Sequence, residues 1–380
     1  MNNELTKKTR EADIILEFLE PDQDIIDKGW ERQKSIWEDE EPDYLPIVIS
    51  GKVPERQNFP RYNLKEQFYN KDKMFIENLW QLIAQSRGNS DAQLSMRVNF
   101  GTGFIPSIFG LEQIVFEDKM PWLGRHLSKE EVTNFEFPED IKDRGLMPMA
   151  IEYIEYFKEE MENKAHIFLP DTQGPFDIAH LLRGEEIFTD IYDDPDFVHR
   201  LMKLSTKAYI GVTEILKKAI GEEFDKGYHN ALYMGKGGVR ICEDSVTLLS
   251  PELIKEFVLP YTKEALKPFG GGWIHWCGNG NHILDLFLEL EEVKGFNFGN
   301  PEMYDYNEVM RKVIEKKKFY FGGWPKNENE NMKEYFKRIL KPLNNRKAGL
   351  IFVPWVEDIE EPDGVIELWH SLQDYNSLQF

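Results

Sequence analysis

Two residues of metal-binding type, His275 and Cys277, are separated by a single position in the sequence. Alternate residues of an extended strand point to the same face, so both side chains can reach one ion. An imidazole nitrogen and a thiolate sulfur are good zinc ligands. The alternative is a hydrogen-bonded interior histidine beside a small buried cysteine. Glycines at 270–272, 278 and 280 favour a tight turn or a close approach of the backbone to a ligand.

Three more polar residues, Cys242, Glu243 and Asp244, end the strand-like segment that precedes His275. On a neighbouring strand they can supply a further metal ligand, a general acid or base, or a partner that orients His275. The alternative is a carboxylate that caps the following helix. Asp171 ends another such segment before a Gly-Pro turn and is a further candidate for acid–base catalysis.

Candidates for substrate binding also lie at or beside the ends of strand-like segments. The chain has nine Trp, 15 Tyr and 26 Phe, and most of these rings must belong to the core. Residues at strand ends can instead line a pocket for a flat or apolar substrate. They are Trp276, Asn300, Trp324 and Trp355.

The elements that must position these residues are short apolar segments that alternate with helical ones. Such alternation indicates parallel βαβ units. The strand-like segments are 45–50, 94–100, 167–169, 238–242, 272–277, 295–298, 318–321 and 349–353.

Eight such segments predict an α/β protein of the (β/α)8 (TIM) barrel class, in which catalytic groups lie where the strands end. A doubly wound sheet is the alternative, but the Gly-rich phosphate-binding turn expected after its first strand is missing. We expect residues 1–90 to form a helical extension with the first strand, packed on the barrel, and residues 91–380 to form the barrel itself.

Composition narrows the classes of function. The 380 residues are 41% hydrophobic, which is enough for a large core, and carry a net charge of −22, which disfavours nucleic acid as a partner. Two cysteines exclude a disulfide framework. No apolar stretch suits a signal peptide or a membrane span, so we expect a cytoplasmic protein. Common hydrolase motifs and a P-loop are missing.

Several segments resemble the uroporphyrinogen decarboxylase superfamily over about residues 95–357. The resemblance rests on Ser250-Pro251-Glu252, Phe257–Pro260 and Ile274–Asn279, with further similarity at Phe100–Gly103, Gly174–Phe176, Leu181–Gly184 and Asp194-Pro195. It implies a (β/α)8 barrel. The superfamily contains decarboxylases as well as zinc-dependent methyltransferases that exchange methyl groups with a corrinoid protein or a thiol.

The His-x-Cys pair resembles the methyltransferase branch, which implies zinc on His275 and Cys277 acting as a Lewis acid, with Glu243 or Asp244 handling the proton. That branch has a third ligand, a Cys, near the end of the last strand, where this chain has Val356. Either Glu357 or Cys242 replaces it, or no metal binds. The chain lacks a DxHxxG corrinoid-binding sequence, so methylcobalamin would be carried by a separate corrinoid protein.

Two other functions stay open at this point. The first is a metal-independent decarboxylase of a small carboxylated substrate, in which Asp171 or Asp244 stabilises a protonated intermediate. Against it, the Arg-rich motif of the decarboxylase branch has only a faint counterpart in Trp30–Gln33, and the chain offers few obvious cationic anchors for carboxylates near its strand ends. The second is a non-catalytic barrel that binds a small molecule.

Overall fold

The computed structural model describes residues 10–56, 58–356, 359 and 361–374. Its strands are β1 (Ser95–Arg97), β2 (Gln113–Ile114), β3 (Trp122–Leu123), β4 (His166–Phe168), β5 (Gly227–His229), β6 (Leu232–Met234), β7 (Val239–Cys242), β8 (Gly272–Trp276), β9 (Val293–Phe298), β10 (Phe319–Gly322) and β11 (Leu350–Phe352).

The helices precede, separate and follow these strands. They are α1 (Glu11–Leu16), α2 (Gln23–Trp37), α3 (Leu64–Tyr69), α4 (Lys71–Ser86), α5 (Lys129–Thr133), α6 (Met147–Met161), α7 (Pro175–Arg183), α8 (Ile187–Asp193), α9 (Pro195–Ile220), α10 (Pro251–Leu253), α11 (Leu259–Leu266), α12 (Leu284–Leu288), α13 (Tyr306–Glu315), α14 (Met332–Leu340) and α15 (Pro362–Ser371).

Five strands form one parallel sheet in the order β11-β10-β9-β8-β7. Each strand lies beside its neighbour in the sequence, as expected for strands joined by crossover connections. The last strand also contacts the first strand-like segment, because Ile47 forms a parallel bridge with Phe352. This order favours barrel-like winding over a doubly wound sheet, whose strand order reverses at a switch point.

The prediction of a closed barrel is met only in part. β1 and β4 pair with each other, in parallel, and form a separate two-stranded ladder. Between the 45–50 segment and β1, the Ser90 hydroxyl bonds the Ile49 backbone in place of a strand ladder. On the other side, the antiparallel hairpin β5–β6 intervenes before β7. The described residues therefore form an α/β fold with parallel strands in which the ladders do not join into a closed barrel.

Local sequence explains the long helices well. Asp194 accepts a hydrogen bond from the Phe197 amide and Pro195 occupies the first turn, and both are local signals for the start of α9. Ser250 caps α10 in the same way, also before a proline. A π-helical turn, Ile254–Val258, joins α10 to α11. Within the described part of the chain, no helix combines the length and apolar character needed to cross a membrane.

Candidate functional site

The side chains of His275 and Cys277 lie together at the C-terminal end of β8. His275 Nε2 is 3.5 Å from Cys277 Sγ, so alternation along the strand places both on one face, as the spacing predicts. His275 is largely buried, whereas Cys277 is exposed. Gly278 follows with φ +83°, a left-handed conformation that glycine adopts without strain, and it turns the chain immediately after Cys277.

Asn297 of β9 orients the imidazole, although the sequence did not draw attention to it. The register pairs His275 with Asn297, and His275 Nδ1 lies 2.6 Å from Asn297 Oδ1. Asn297 Nδ2 donates to the Phe321 carbonyl at 2.5 Å, which fixes the amide oxygen toward the ring. His275 Nδ1 is therefore the donor, and Nε2 presents its lone pair toward Cys277. An isolated Asn in the apolar run Gly295–Phe298 is the sequence signal.

Cys242 and Asp244 complete a group of possible ligands. Cys242 pairs with His275 across β7 and β8, and ligand atoms of Cys242, Asp244 and His275 all lie within 4.8 Å of one another. Asp244 Oδ1 is 3.8 Å from His275 Nε2 and accepts a 2.7 Å hydrogen bond from the Cys277 amide.

These separations fit a shared zinc ion. Ligand atoms around tetrahedral zinc are about 3.5 Å apart, given bond lengths of about 2.0 to 2.3 Å. The separations of His275 Nε2 from Cys277 and from Asp244 are close to that value. Cys242, His275 and Asp244 offer one sulfur, one nitrogen and one carboxylate oxygen, and Cys277 offers a second sulfur beside His275. Sulfur and imidazole donors are typical of zinc rather than of magnesium or calcium.

Burial and neighbouring charges hold the imidazole of His275 and the thiols of Cys242 and Cys277 in their uncharged forms. Burial, assisted by the positive charge of Arg240, lowers the pKa of His275 to about 4, so the imidazole is neutral near pH 7. Burial and the charge of Asp244 raise the pKa of Cys277 to about 11. Burial also raises the pKa of Cys242 well above its usual value. A bound cation would lower the pKa of each thiol, because it stabilises the negative charge of the thiolate.

Glu243 occupies a structural position, which corrects its prediction as a catalytic residue. It is fully buried, and its carboxylate accepts hydrogen bonds from the Phe176 and Asp177 amides at the start of α7, at 3.3 and 3.0 Å. In return, Asp177 accepts from the amides of Asp244 and Ser245 at 2.7 and 2.9 Å. Glu243 is therefore a capping carboxylate, although it caps α7 rather than the segment that follows it. It has no surface from which to exchange a proton with a substrate.

The sequence profile of the family described as uroporphyrinogen decarboxylase (URO-D) matches residues 38–322, which includes β1 to β10 and the whole His275 site. The chain belongs to the uroporphyrinogen decarboxylase family. A structure titled "methyltransferase from Methanosarcina mazei" is similar in fold, with a TM-score of 0.64, 15% sequence identity, and coverage of 90% of this chain and 97% of that chain. No curated protein matches this sequence.

In this member of the family, two of the predicted substrate-binding residues belong to the core. Trp276 is fully buried, packs on Phe287 and Phe298, and donates to the Tyr304 hydroxyl at 2.7 Å. Strand alternation explains this, because His275 and Trp276 must point to opposite faces. Trp324 is also buried and packs on Tyr320. Neither ring has a face exposed to a ligand, which corrects both predictions.

The remaining strand-end residues lie in different environments. Asn300 uses both ends of its amide, accepting from the Gly278 amide at 3.0 Å and donating to Glu302 at 3.0 Å, so it holds the turn after Cys277. Trp355 is 47% exposed, so it stays a candidate for substrate binding. Glu357, the alternative metal ligand, lies outside the described residues.

Asp171 faces two arginines that sequence reasoning missed. Arg240 Nη1 is 3.6 Å from Asp171 Oδ1, and Gln173 Nε2 donates to the same oxygen at 2.5 Å. Arg97, at the end of β1, carries a second guanidinium whose charge acts on Asp171 and on Cys242. This URO-D family member therefore has cationic groups at its strand ends, contrary to the expectation of few such anchors. In the sequence, Arg97 and Arg240 could have been noticed because each is the single charged residue of its strand-like segment.

Proposed function

We propose that the protein is a zinc-dependent methyltransferase that moves a methyl group between a small methylated substrate and a corrinoid protein or a thiol acceptor. The observation that carries this proposal is the group of Cys242, Asp244 and His275, whose ligand atoms lie within 4.8 Å of one another, with Cys277 Sγ 3.5 Å from His275 Nε2. The fold similarity to a methyltransferase at 15% identity is compatible with it. The methyl carrier would be methylcobalamin on a separate corrinoid protein.

The residues have separate tasks in this proposal. Zinc, when bound, supplies Lewis-acid chemistry toward a thiol acceptor or toward the heteroatom that carries the methyl group. Asn297 holds His275 in the tautomer whose Nε2 can act as a ligand. Asp244 is half-buried beside Cys277 and serves either as the fourth ligand or as the base that takes the acceptor's proton.

The proposal is tested by incubating purified protein with methylcobalamin and a panel of small thiols. A thiol-dependent loss of the methylcobalamin absorbance reports methyl transfer. We expect activity in the zinc-loaded protein, no activity in His275→Ala, and loss after chelation that added zinc reverses. His282→Gln is the matched control, because His282 Nε2 lies 3.0 Å from the Leu249 carbonyl and His282 is not among the possible ligands. Activity that survives both chelation and His275→Ala would contradict the proposal.

A metal-independent decarboxylase is the second candidate, and one observation favours it. Arg97 and Arg240 supply the cationic anchors that a carboxylated substrate needs, and Asp171 lies beside them. This function would leave the thiols of Cys242 and Cys277 without a chemical task. Carbon dioxide release that chelators do not affect would distinguish it from methyl transfer.

We further propose that the eight strand segments belong to a complete (β/α)8 barrel on which residues 1–90 pack as a helical extension. Contacts of α2 with β6 and β11, and the Ile47–Phe352 bridge, support this arrangement.

A further inference from the structure

The structure contains a cavity of about 840 Å³ at the N-terminal end of β4, away from the candidate metal centre. The ends of α6 and α9 and the starts of β4 and β5 border it, together with one side of α2. The described residues that line it include none of the possible metal ligands, which lie at the C-terminal ends of β7 and β8. Its volume is within the range of sites that bind small molecules. The proposed methyl transfer therefore does not account for this cavity.

Aromatic rings form one wall of the cavity. Trp30 and Trp37 are seven residues apart on α2, so the helical period places both on the same side of this helix. The Tyr233 ring centre lies 5.4 Å from that of Trp30 and 5.7 Å from that of Tyr228. All four residues line the cavity. Adjacent aromatic rings of this kind favour a ligand with flat, apolar faces.

His166 completes this wall and has one ring face covered. The ring stacks on Tyr228, with 3.4 Å between the ring centres and 7° between the ring planes. His166 nevertheless keeps exposed surface and lines the cavity, so its other face is open to a second ring. The cavity walls partly desolvate the imidazole and lower the pKa of His166 to about 4, so the ring is uncharged near pH 7. An uncharged ring with one open face is a suitable surface for another aromatic ring.

The charges around the cavity balance one another, since four lysines and four acidic residues line it. Lys226 pairs with Glu223 at 3.1 Å, and Glu222 pairs with the buried Lys217 at 2.8 Å. The Lys158 ammonium donates a 2.7 Å hydrogen bond to a backbone carbonyl near the end of α9. A ligand with a net charge would meet a repulsive group beside each attractive one. The cavity therefore favours an uncharged ligand.

The Asn163 carboxamide supplies an unused polar group at the same cavity. It lines the cavity and forms no hydrogen bond with the other residues that the structure describes. Asn163 lies in the turn between α6 and β4, three residues before His166, and adopts φ +69°. A side-chain amide both donates and accepts, so it can bond a nitrogen or oxygen atom at the edge of a ligand ring.

We propose that this cavity binds a planar, uncharged nitrogen heterocycle, which stacks on the open face of His166 and presents a polar edge to Asn163. The stack supplies the apolar contact, and the amide fixes the orientation of the ring. This inference goes beyond the proposed methyl transfer and does not depend on it.

Calorimetric titration of the zinc-loaded protein with three uncharged carboxamides of one skeleton tests the site. They are quinoline-3-carboxamide, 2-naphthamide and the saturated decahydronaphthalene-2-carboxamide. We expect the quinoline probe to bind most tightly. The saturated probe should bind about fivefold or more weakly than the quinoline probe, because it has no aromatic face with which to stack. Equal affinity for all three, or binding of none, overturns the inference.

Variants assign the binding to this cavity. His166→Leu fills a similar space without an aromatic face and should weaken binding of the quinoline probe by about 5- to 100-fold, whereas His166→Phe should retain it. His166→Ala replaces His166→Leu if the latter folds poorly. Asn163→Gly, which suits the positive φ, should remove the preference for quinoline over naphthalene.

His275→Ala is the control that separates this cavity from the candidate metal centre, and it should leave the affinity for the quinoline probe unchanged. Unchanged affinity in a folded His166→Leu or His166→Ala protein overturns the inference. Loss of binding in His275→Ala would place the probe at the candidate metal centre and also overturns it.

Discussion

His275 Nδ1 and Asn297 Oδ1 lie 2.6 Å apart across β8 and β9, and this contact turns His275 Nε2 toward Cys277 and Asp244. The amide cannot rotate without losing its bond to the Phe321 carbonyl. A metal-binding histidine is commonly fixed in this way by a partner on its other nitrogen.

Asn297→Ala should therefore weaken zinc binding by about 10- to 100-fold while leaving the ligands in place. Asn297→Asp retains an acceptor for His275 Nδ1 and should keep more of the affinity. Competition titration with a chromophoric zinc chelator measures both values. Equal zinc affinity in the wild type and in Asn297→Ala would show that the orientation of His275 does not matter.

Cys242 and Glu357 are the two residues considered as replacements for the missing third cysteine, and Cys242 lies in the group of possible ligands with Asp244 and His275. We expect Cys242→Ala to bind zinc much more weakly, because one sulfur donor is lost from the cluster. Glu357→Gln should leave zinc affinity unchanged. Elemental analysis after dialysis measures the zinc that each variant retains. The reverse pattern would assign the third ligand to Glu357.

Glu243→Ala should lower the free energy of unfolding by about 2 kcal/mol, because two buried amides of α7 lose their acceptor. Urea denaturation measures this value. Glu289→Ala, which removes an exposed ion pair with Lys316, should change it by less than about 0.5 kcal/mol. A stable Glu243→Ala protein that has lost its chemistry would restore Glu243 as a catalytic residue.

The titration of His370 should account for part of the loss of unfolding free energy as the pH falls. Burial lowers the pKa of His370 to about 4, and the ring stacks on Tyr44 at 4.1 Å. The unfolded chain, with a histidine pKa of about 6.5, takes up this proton first as the pH falls. His370 therefore lowers the free energy of unfolding progressively between about pH 6.5 and pH 4.

His370→Phe keeps the stacked ring and removes the titration. The loss of unfolding free energy between pH 7.5 and pH 5 should be smaller in this variant than in the wild type, as measured by urea denaturation. Buried His275 and His229 contribute with the same sign to both proteins and cancel in the comparison. An identical loss in both proteins would show that His370 titrates normally in the folded state.

Sequence patterns predicted the regular elements because those depend on local chemistry. The seven strand-like segments from 94 onward each overlap a strand, and Ser250 and Asp194 each cap the helix that follows. The spacing of His275 and Cys277 was informative for the same reason, since alternation along one strand is a local property. The hairpin β5–β6 was missed, because it is a short insertion between two longer elements.

The partners of these residues could not be predicted, because they depend on register and on contacts between distant segments. Asn297 meets His275 only through the alignment of β8 with β9. Glu243 caps a helix that begins 68 residues earlier, at Pro175, which no local pattern encodes. The charges of Arg97 and Arg240 act on Asp171 from strands that are far apart in the sequence. Local alternation would have placed Trp276 in the core had it been applied to that residue as well.

The zinc content of the purified protein is the most direct measurement of the central claim. Elemental analysis of the wild type, beside folded His275→Ala and Cys277→Ala variants, should find about one zinc per chain in the wild type and little in either variant. No bound zinc in the wild type, even after incubation with zinc and removal of the excess, would contradict the metal site and the methyl transfer that depends on it.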